Sequence, residues 1–161
     1  EEHVETLRAA NNYASLLIQL KRFEEAKSLV RKILPVARRV LGDSNDTTLR
    51  MRWNYAAALY DDPAATLDDL REAATTLEDT ERTARRVLGG AHPVVAAFEN
   101  SLRGSQAALE RALAKAEIAA NEAKIAANEA NISTCERALH VLDALSPRES
   151  GFGEAVAEAP F

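Results

Sequence analysis

The chain is poor in the residues that would make it anything other than a helical protein. Among its 161 residues there is one cysteine, Cys135. A disulfide framework is therefore excluded, and a lone thiol fits a reducing, cytoplasmic setting. Six glycines and five prolines are too few for a loop-rich or collagenous chain. Aromatics make up only 5%. No uninterrupted apolar run approaches the roughly 18 residues of a membrane span, and no charged-then-apolar leader opens the chain. Acids and bases are interleaved at a net charge of −5, which leaves no basic footprint for nucleic acid. No glycine-rich phosphate loop or nucleophile elbow occurs. The three histidines and Cys135 lack ligand or catalytic spacing, so neither a metal nor a cofactor is expected, and an enzyme is not. The chain opens on Glu1 rather than Met, so a longer parent polypeptide is expected.

What is present is repetition. Ala37-Arg38-Arg39-Val40-Leu41-Gly42 recurs as Ala84-Arg85-Arg86-Val87-Leu88-Gly89, 47 residues later. Each phrase reads as a helix end: cations face the negative end of the dipole, and glycine takes a left-handed position. Two identical endings mark two copies of one unit, a stacked helical repeat. Thr6-Leu7-Arg8 matches Thr48-Leu49-Arg50, and Asn12-Tyr13-Ala14 matches Asn54-Tyr55-Ala56, both displaced by 42. The displacement then grows to 47, which places about five inserted residues around Asp61–Ala65, in the turn between two helices.

Apolar periodicity predicts helices over 3–20, 22–41, 46–60 and 64–88, and a further first helix from about 92. Pro35 falls inside the second and should kink it. Asp62-Pro63 and Thr66 with Asp69 offer two alternative starts for the fourth. Stacking these pairs should bury Leu7, Tyr13, Leu17, Phe23, Ala26, Leu49, Tyr55, Leu59, Ala73 and Leu77. The expected organisation is a repeat region over 3–105 (units 3–43 and 44–90, with a partial unit at 91–105), a helical extension or cap over 106–145, and a flexible tail over 146–161.

The extension differs in kind. Ile118-Ala-Ala-Asn-Glu-Ala-Lys is followed by Ile125-Ala-Ala-Asn-Glu-Ala-Asn and then Ile132, a period of seven. That period belongs to coiled coils, but Asn121 and Asn128 would then fill successive d positions and weaken a two-stranded seam. The isoleucines Ile118, Ile125 and Ile132 should contact another helix. Either the segment after a restart at Ser133 and Glu136 folds back on them, or a second molecule supplies the helix. The near-verbatim heptads also fit an engineered helical extension.

The helix pairs with Asn-Tyr-Ala-x-x-Leu, followed by Phe23-x-Glu25-Ala26, resemble tetratricopeptide repeats. The long unit, the His-Pro opening at His92-Pro93, the Asn11-Asn12 pair and the Arg-Arg-Val-Leu-Gly endings are similar to the kinesin-light-chain variety. Heat-type repeats share the unit length but not the Asn-Tyr-Ala and Glu-Ala phrases. The resemblance covers about residues 3–105. It implies an all-α solenoid, a right-handed superhelix whose first helices line a concave groove for extended peptides or partner helices. Arg8, Asn11 and Ser15 share one helix face, and their counterparts are Arg50 and Trp53 in the second unit and Asn100 in the third. These six are the expected partner-binding residues. Arginine can pair with acidic side chains and asparagine can bond a main chain, so an acidic or amphipathic segment is the expected ligand. Asn12 and Asn54 fit a different role, tying adjacent helices together, and Trp53 fits packing between units as well as ligand contact. The other function class is a structural subunit that assembles with itself or a larger complex through 106–145.

Overall fold

The computed structural model describes residues 2–145, all of whose regular structure is helical. Five helices follow in order: α1 (Glu2–Gln19), α2 (Phe23–Leu41), α3 (Asp46–Tyr60), α4 (Leu67–Leu88) and α5 (Pro93–Leu145). The chain divides into two compact units, Glu1–Ala116 and Glu117–Phe161. The expected tail at 146–161 lies outside the described residues.

In the first unit α3 is central, packed against α1, α2 and α4. Its low amphipathicity follows from that position, because a helix with neighbours on several sides cannot be polar on one face. Accordingly Leu49, Met51, Ala56, Ala58 and Leu59 are all fully buried. One core joins Leu7 and Ala14 of α1, Val30 and Ala37 of α2, Tyr55 and Leu59 of α3, and Ala73 and Leu77 of α4. A second carries the stack onward, with Leu49, Ala84, Val95 and Phe98 packed around Trp53.

Helix boundaries follow local chemistry. Asn45 accepts from the Thr47 amide at 2.9 Å and caps α3. Of the two candidate starts for α4, the chain uses Thr66: its hydroxyl accepts from the Asp69 amide at 3.1 Å, and the Asp69 carboxylate accepts from the Thr66 amide at 2.9 Å. Asp62 instead accepts from the Ala64 amide and shapes the preceding turn. The repeated phrases end alike. Gly42 (φ 89°, ψ 159°) and Gly89 (φ 85°, ψ 149°) each donate to the carbonyl of the first arginine, Arg38 or Arg85. Positive φ with extended ψ is territory that only glycine occupies without strain. The turn between α1 and α2 uses Lys21 at φ 58°, with Arg22 N donating to Leu17 O and Lys21 N to Ile18 O, a Schellman pattern without glycine. α2 passes through Pro35 without a break.

Two burial expectations fail at the start of the stack. Tyr13 is 50% exposed on α1, whereas its counterpart Tyr55 is buried on α3, which packs against α1, α2 and α4. Phe23, at the first turn of α2, is only half-buried.

In the second unit, residues 117–145 are helical throughout and every one is exposed. Ser133 and Glu136 do not restart a helix, and no turn interrupts Asn131–Ser133. A fold-back of 134–145 is therefore not what this unit contains.

Candidate functional site

The six expected binding residues fall into two groups. Arg8, Ser15, Arg50 and Asn100 keep some or most of their surface in solvent. Arg8 donates to Glu5 at 3.0 Å, Arg50 to Asp46 at 2.8 Å, and Asn100 accepts from Arg103. These are partners within one turn of the same helix, worth only tenths of a kcal/mol in water. They hold the side chains loosely and can be exchanged.

Asn11 and Trp53 are placed differently, between helices. Asn11 is buried, and Asn54 Nδ2 donates to its Oδ1 at 3.0 Å and to its carbonyl at 3.3 Å. The Asn–Asn tie expected of Asn12 is thus made by Asn11, and Asn12 is exposed. Trp53 lies 5.6 Å from the Phe98 ring and donates from Nε1 to Ser101 Oγ at 2.8 Å. Both residues fix the register of neighbouring first helices, and so the spacing at which Arg8 and Arg50 are presented.

Behind this face lies polar chemistry that periodicity did not single out. Lys27 sits among the apolar positions of α2, buried, with its ammonium 3.1 Å from Asp62 and 2.5 Å from Glu24. Burial opposes the charge on Lys27, but hydrogen bonds to Glu24 and Asp62 outweigh it and raise its pKa. The signal was available: a lysine four residues after Phe23 and three before Val30 interrupts the apolar stripe, and acids fill the insertion. Arg31 Nε donates to Tyr55 Oη at 2.9 Å and Tyr55 Oη donates to Glu72 at 2.7 Å. Burial first, and then Glu72, raises the Tyr55 pKa and keeps it a neutral donor. Arg52 is buried as well, 3.9 Å from Asp79, and its Nε finds no hydrogen-bond partner among the described residues; burial, and then Arg38, lowers its pKa. No group of His, Cys, Asp or Glu among the described residues could hold a metal ion. No described helix is long and apolar enough to cross a membrane.

Ile118, Ile125 and Ile132, expected to contact a helix, are 59%, 58% and 57% exposed in the second unit. With Leu139 they continue the seven-residue step.

No curated protein and no solved structure matches the chain. A family model described as tetratricopeptide repeat matches residues 5–62. The matched span runs from α1 through α3 and includes Arg8, Asn11, Ser15, Arg50 and Trp53. Over residues 5–62 the chain is thus similar to tetratricopeptide repeats.

Proposed function

We propose that this protein is a non-catalytic interaction module whose first helices take an acidic extended peptide or an amphipathic helix across Arg8, Ser15, Arg50 and Asn100, with Asn11 and Trp53 setting the spacing. Tetratricopeptide repeats in general mediate protein–protein interaction, and stacked repeats offer extended surfaces for it. One observation carries the finer reading. Arg8 and Arg50 occupy equivalent positions on two first helices joined side by side by the Asn54–Asn11 bonds, and each is held by a neighbour on its own helix. A ligand carboxylate can replace such a partner at little cost. The paired Arg-Arg-Val-Leu-Gly endings, both closed by glycine at positive φ, support the kinesin-light-chain variety of repeat. Selection of binders from a peptide library tests the assignment. Acidic sequences should dominate, and Arg8→Glu with Arg50→Glu should abolish their binding while leaving helicity unchanged. Binders without acidic residues, or affinity indifferent to the reversal, would remove this face.

A second reading rests on the other unit. Residues 117–145 present Ile118, Ile125, Ile132 and Leu139 to solvent at heptad spacing, which supports assembly with another helix in trans. Sedimentation across a wide concentration range decides it, since a strict monomer leaves these side chains without a role in self-assembly.

A further inference from the structure

Within the first compact unit, α2 hands on to α3 and α4 hands on to α5, and the two joints are spelled differently. In the later one, Arg85 near the end of α4 donates to Glu99 of α5 and, at 2.6 Å, to Glu81 of its own helix. Val95, one turn before Glu99, is fully buried. Cation, carboxylate and apolar filler match one another there. The counterparts 47 residues earlier are Arg38, Arg52 and Thr48. The cation is kept, but a second cation stands for the carboxylate and a hydroxyl for the valine.

Both exchanges fall inside the protein. Arg52 is 7% exposed and Thr48 0%, and at a spacing of four they share one face of α3. Neither Arg52 Nε nor Thr48 Oγ1 finds a hydrogen-bond partner among the described residues. Asp79, 3.9 Å from the Arg52 guanidinium and so beyond hydrogen-bond reach, is shared with Arg82 at 3.3 Å. Asp43 is engaged by Arg38 at 3.0 Å. Three arginines thus face two aspartates. Burial, and then Arg38, holds the Arg52 pKa below its ordinary value, with Asp79 and Asp43 offsetting only part. Buried polar groups are costly until they are satisfied. Arg52 Nε only donates, and the Thr48 hydroxyl has a proton to give. The partner that both call for is an acceptor, and the excess of arginine makes it a negative one.

We infer that Arg52, Thr48 and Arg38, where α2, α3 and α4 meet, bind a small free oxyanion of the phosphate or sulfate type, in the role that Glu99 fills in the later joint. A flat guanidinium beside a second arginine suits the oxygens of such an ion. The Arg38–Asp43 pair at the rim is largely exposed and parts at little cost to admit it. The ion is free rather than carried on a chain, because the two donors lie below the surface. Arg52 stands about 200° around α3 from Arg50, so this site and the proposed peptide face are tested separately.

Inorganic phosphate is the probe. Thermal unfolding of the full chain, followed by circular dichroism, is measured against phosphate concentration at constant ionic strength. The melting temperature should rise along a one-site saturation curve. Exclusion of phosphate from the protein surface would instead raise every variant alike, without saturation. Thr48→Val, nearly isosteric, should weaken phosphate binding about tenfold, the worth of one hydrogen bond to a charged group. Thr48→Val combined with Arg52→Glu copies the later joint and should abolish the saturable response. Phosphorus NMR line widths read binding to the unaltered chain directly, whichever variants fold. No saturable binding to the unaltered chain, or unchanged binding in Thr48→Val, overturns the site. A crystal structure grown in phosphate that shows only water between Thr48 and Arg52 overturns it as well. Saturation by a phosphoserine peptide at lower concentration than phosphate identifies a chain-borne group as the ligand and overturns the free ion.

Discussion

The two compact units spend similar side chains in opposite ways. In the first, Leu59, Leu77, Val95 and Phe98 have no exposed surface, because each faces a helix on the far side of a joint. In the second, Ile118, Ile125, Ile132, Leu139 and Leu142 are all more than half exposed on a segment where no residue is buried. The first unit is therefore held by packing, and the order of its helices matters. The helix of the second stands on alanine-rich propensity, which is worth tenths of a kcal/mol per residue. The contrast shows that an apolar period states only that a face exists. Whether the face is covered depends on what the rest of the chain brings to it.

The largest expected effect separates the units directly. Phe98→Ala removes a buried ring from the Trp53 joint and should cost about 3–5 kcal/mol in chemical denaturation. Ile125→Ala, a smaller loss of apolar carbon and from an exposed side chain of the second unit, should fall within about 0.5 kcal/mol. Trp53 is the only tryptophan, so its fluorescence follows the first unit alone. A loss of 2 kcal/mol or more for Ile125→Ala, dependent on protein concentration, would break the contrast and give the isoleucines a partner.

The next effect concerns the insertion that lengthens the second repeat unit. The Lys27 and Asp62 side chains are 6% and 10% exposed and meet at 3.1 Å, so the turn after α3 is fastened to α2 by a buried charge pair. Asp62→Ala leaves Lys27 to the solvent-facing Glu24 and should cost about 2 kcal/mol, less than a fully orphaned buried charge. Adding Lys27→Met should recover most of that loss, since an apolar chain of similar length needs no partner. The Lys27 pKa is raised, so its contribution is complete through neutral pH and is lost only as pH climbs through that raised value. A double variant as unstable as Asp62→Ala alone would mean that Asp62 acts by shaping its turn through Ala64 instead.

Much of the first unit was legible because its signals agree with one another. The two Arg-Arg-Val-Leu-Gly phrases end α2 and α4 with the same glycine geometry, and all four inter-helix turns fall where composition changes. Tyr13 misled because a repeat pattern assigns burial to a position without regard to which helices pack beside it. The choice between Asn11 and Asn12 was hidden for a related reason: adjacent residues on a helix point about 100° apart, and only the packing direction of α3 decides which turns inward. Lys27, Arg31 and Arg52 escaped because charged side chains count as surface in any hydropathy pattern, while here their partners lie on other elements. In the extension the same reasoning overvalued a local signal, as the two capping phrases show.

Thr66-x-x-Asp69 and Ser133-x-x-Glu136 are spelled alike as helix starts, and the chain uses only the first. A capping box works when the residues before it are not helical, since the cap hydroxyl then satisfies an amide that has no carbonyl four residues back. Before Thr66 the inserted turn supplies that break. Before Ser133 lie Ile125-Ala-Ala-Asn-Glu-Ala-Asn, all able to continue a helix, so the amides at Ser133–Glu136 already have intrahelical partners and the cap has nothing to do. Thr66→Ala should therefore cost about 1 kcal/mol. Ser133→Ala should cost nothing and gain a few tenths of a kcal/mol, because alanine is the better helix former. The cap also carries a pH signature. Hydrogen bonds from the Thr66 hydroxyl and amide hold the Asp69 carboxyl below its ordinary range. A depressed carboxylate stabilises the fold above its unfolded pKa and loses that contribution as pH falls through the folded value. The difference between wild type and Thr66→Ala should accordingly be full at neutral pH and shrink only in acid, below the usual carboxylate range. Denaturation of both variants at neutral and acidic pH, followed by helix circular dichroism, makes the measurement. Equal losses at Thr66 and Ser133 would show that the second unit does start a helix at Ser133, and the contrast between the two units would narrow to burial alone.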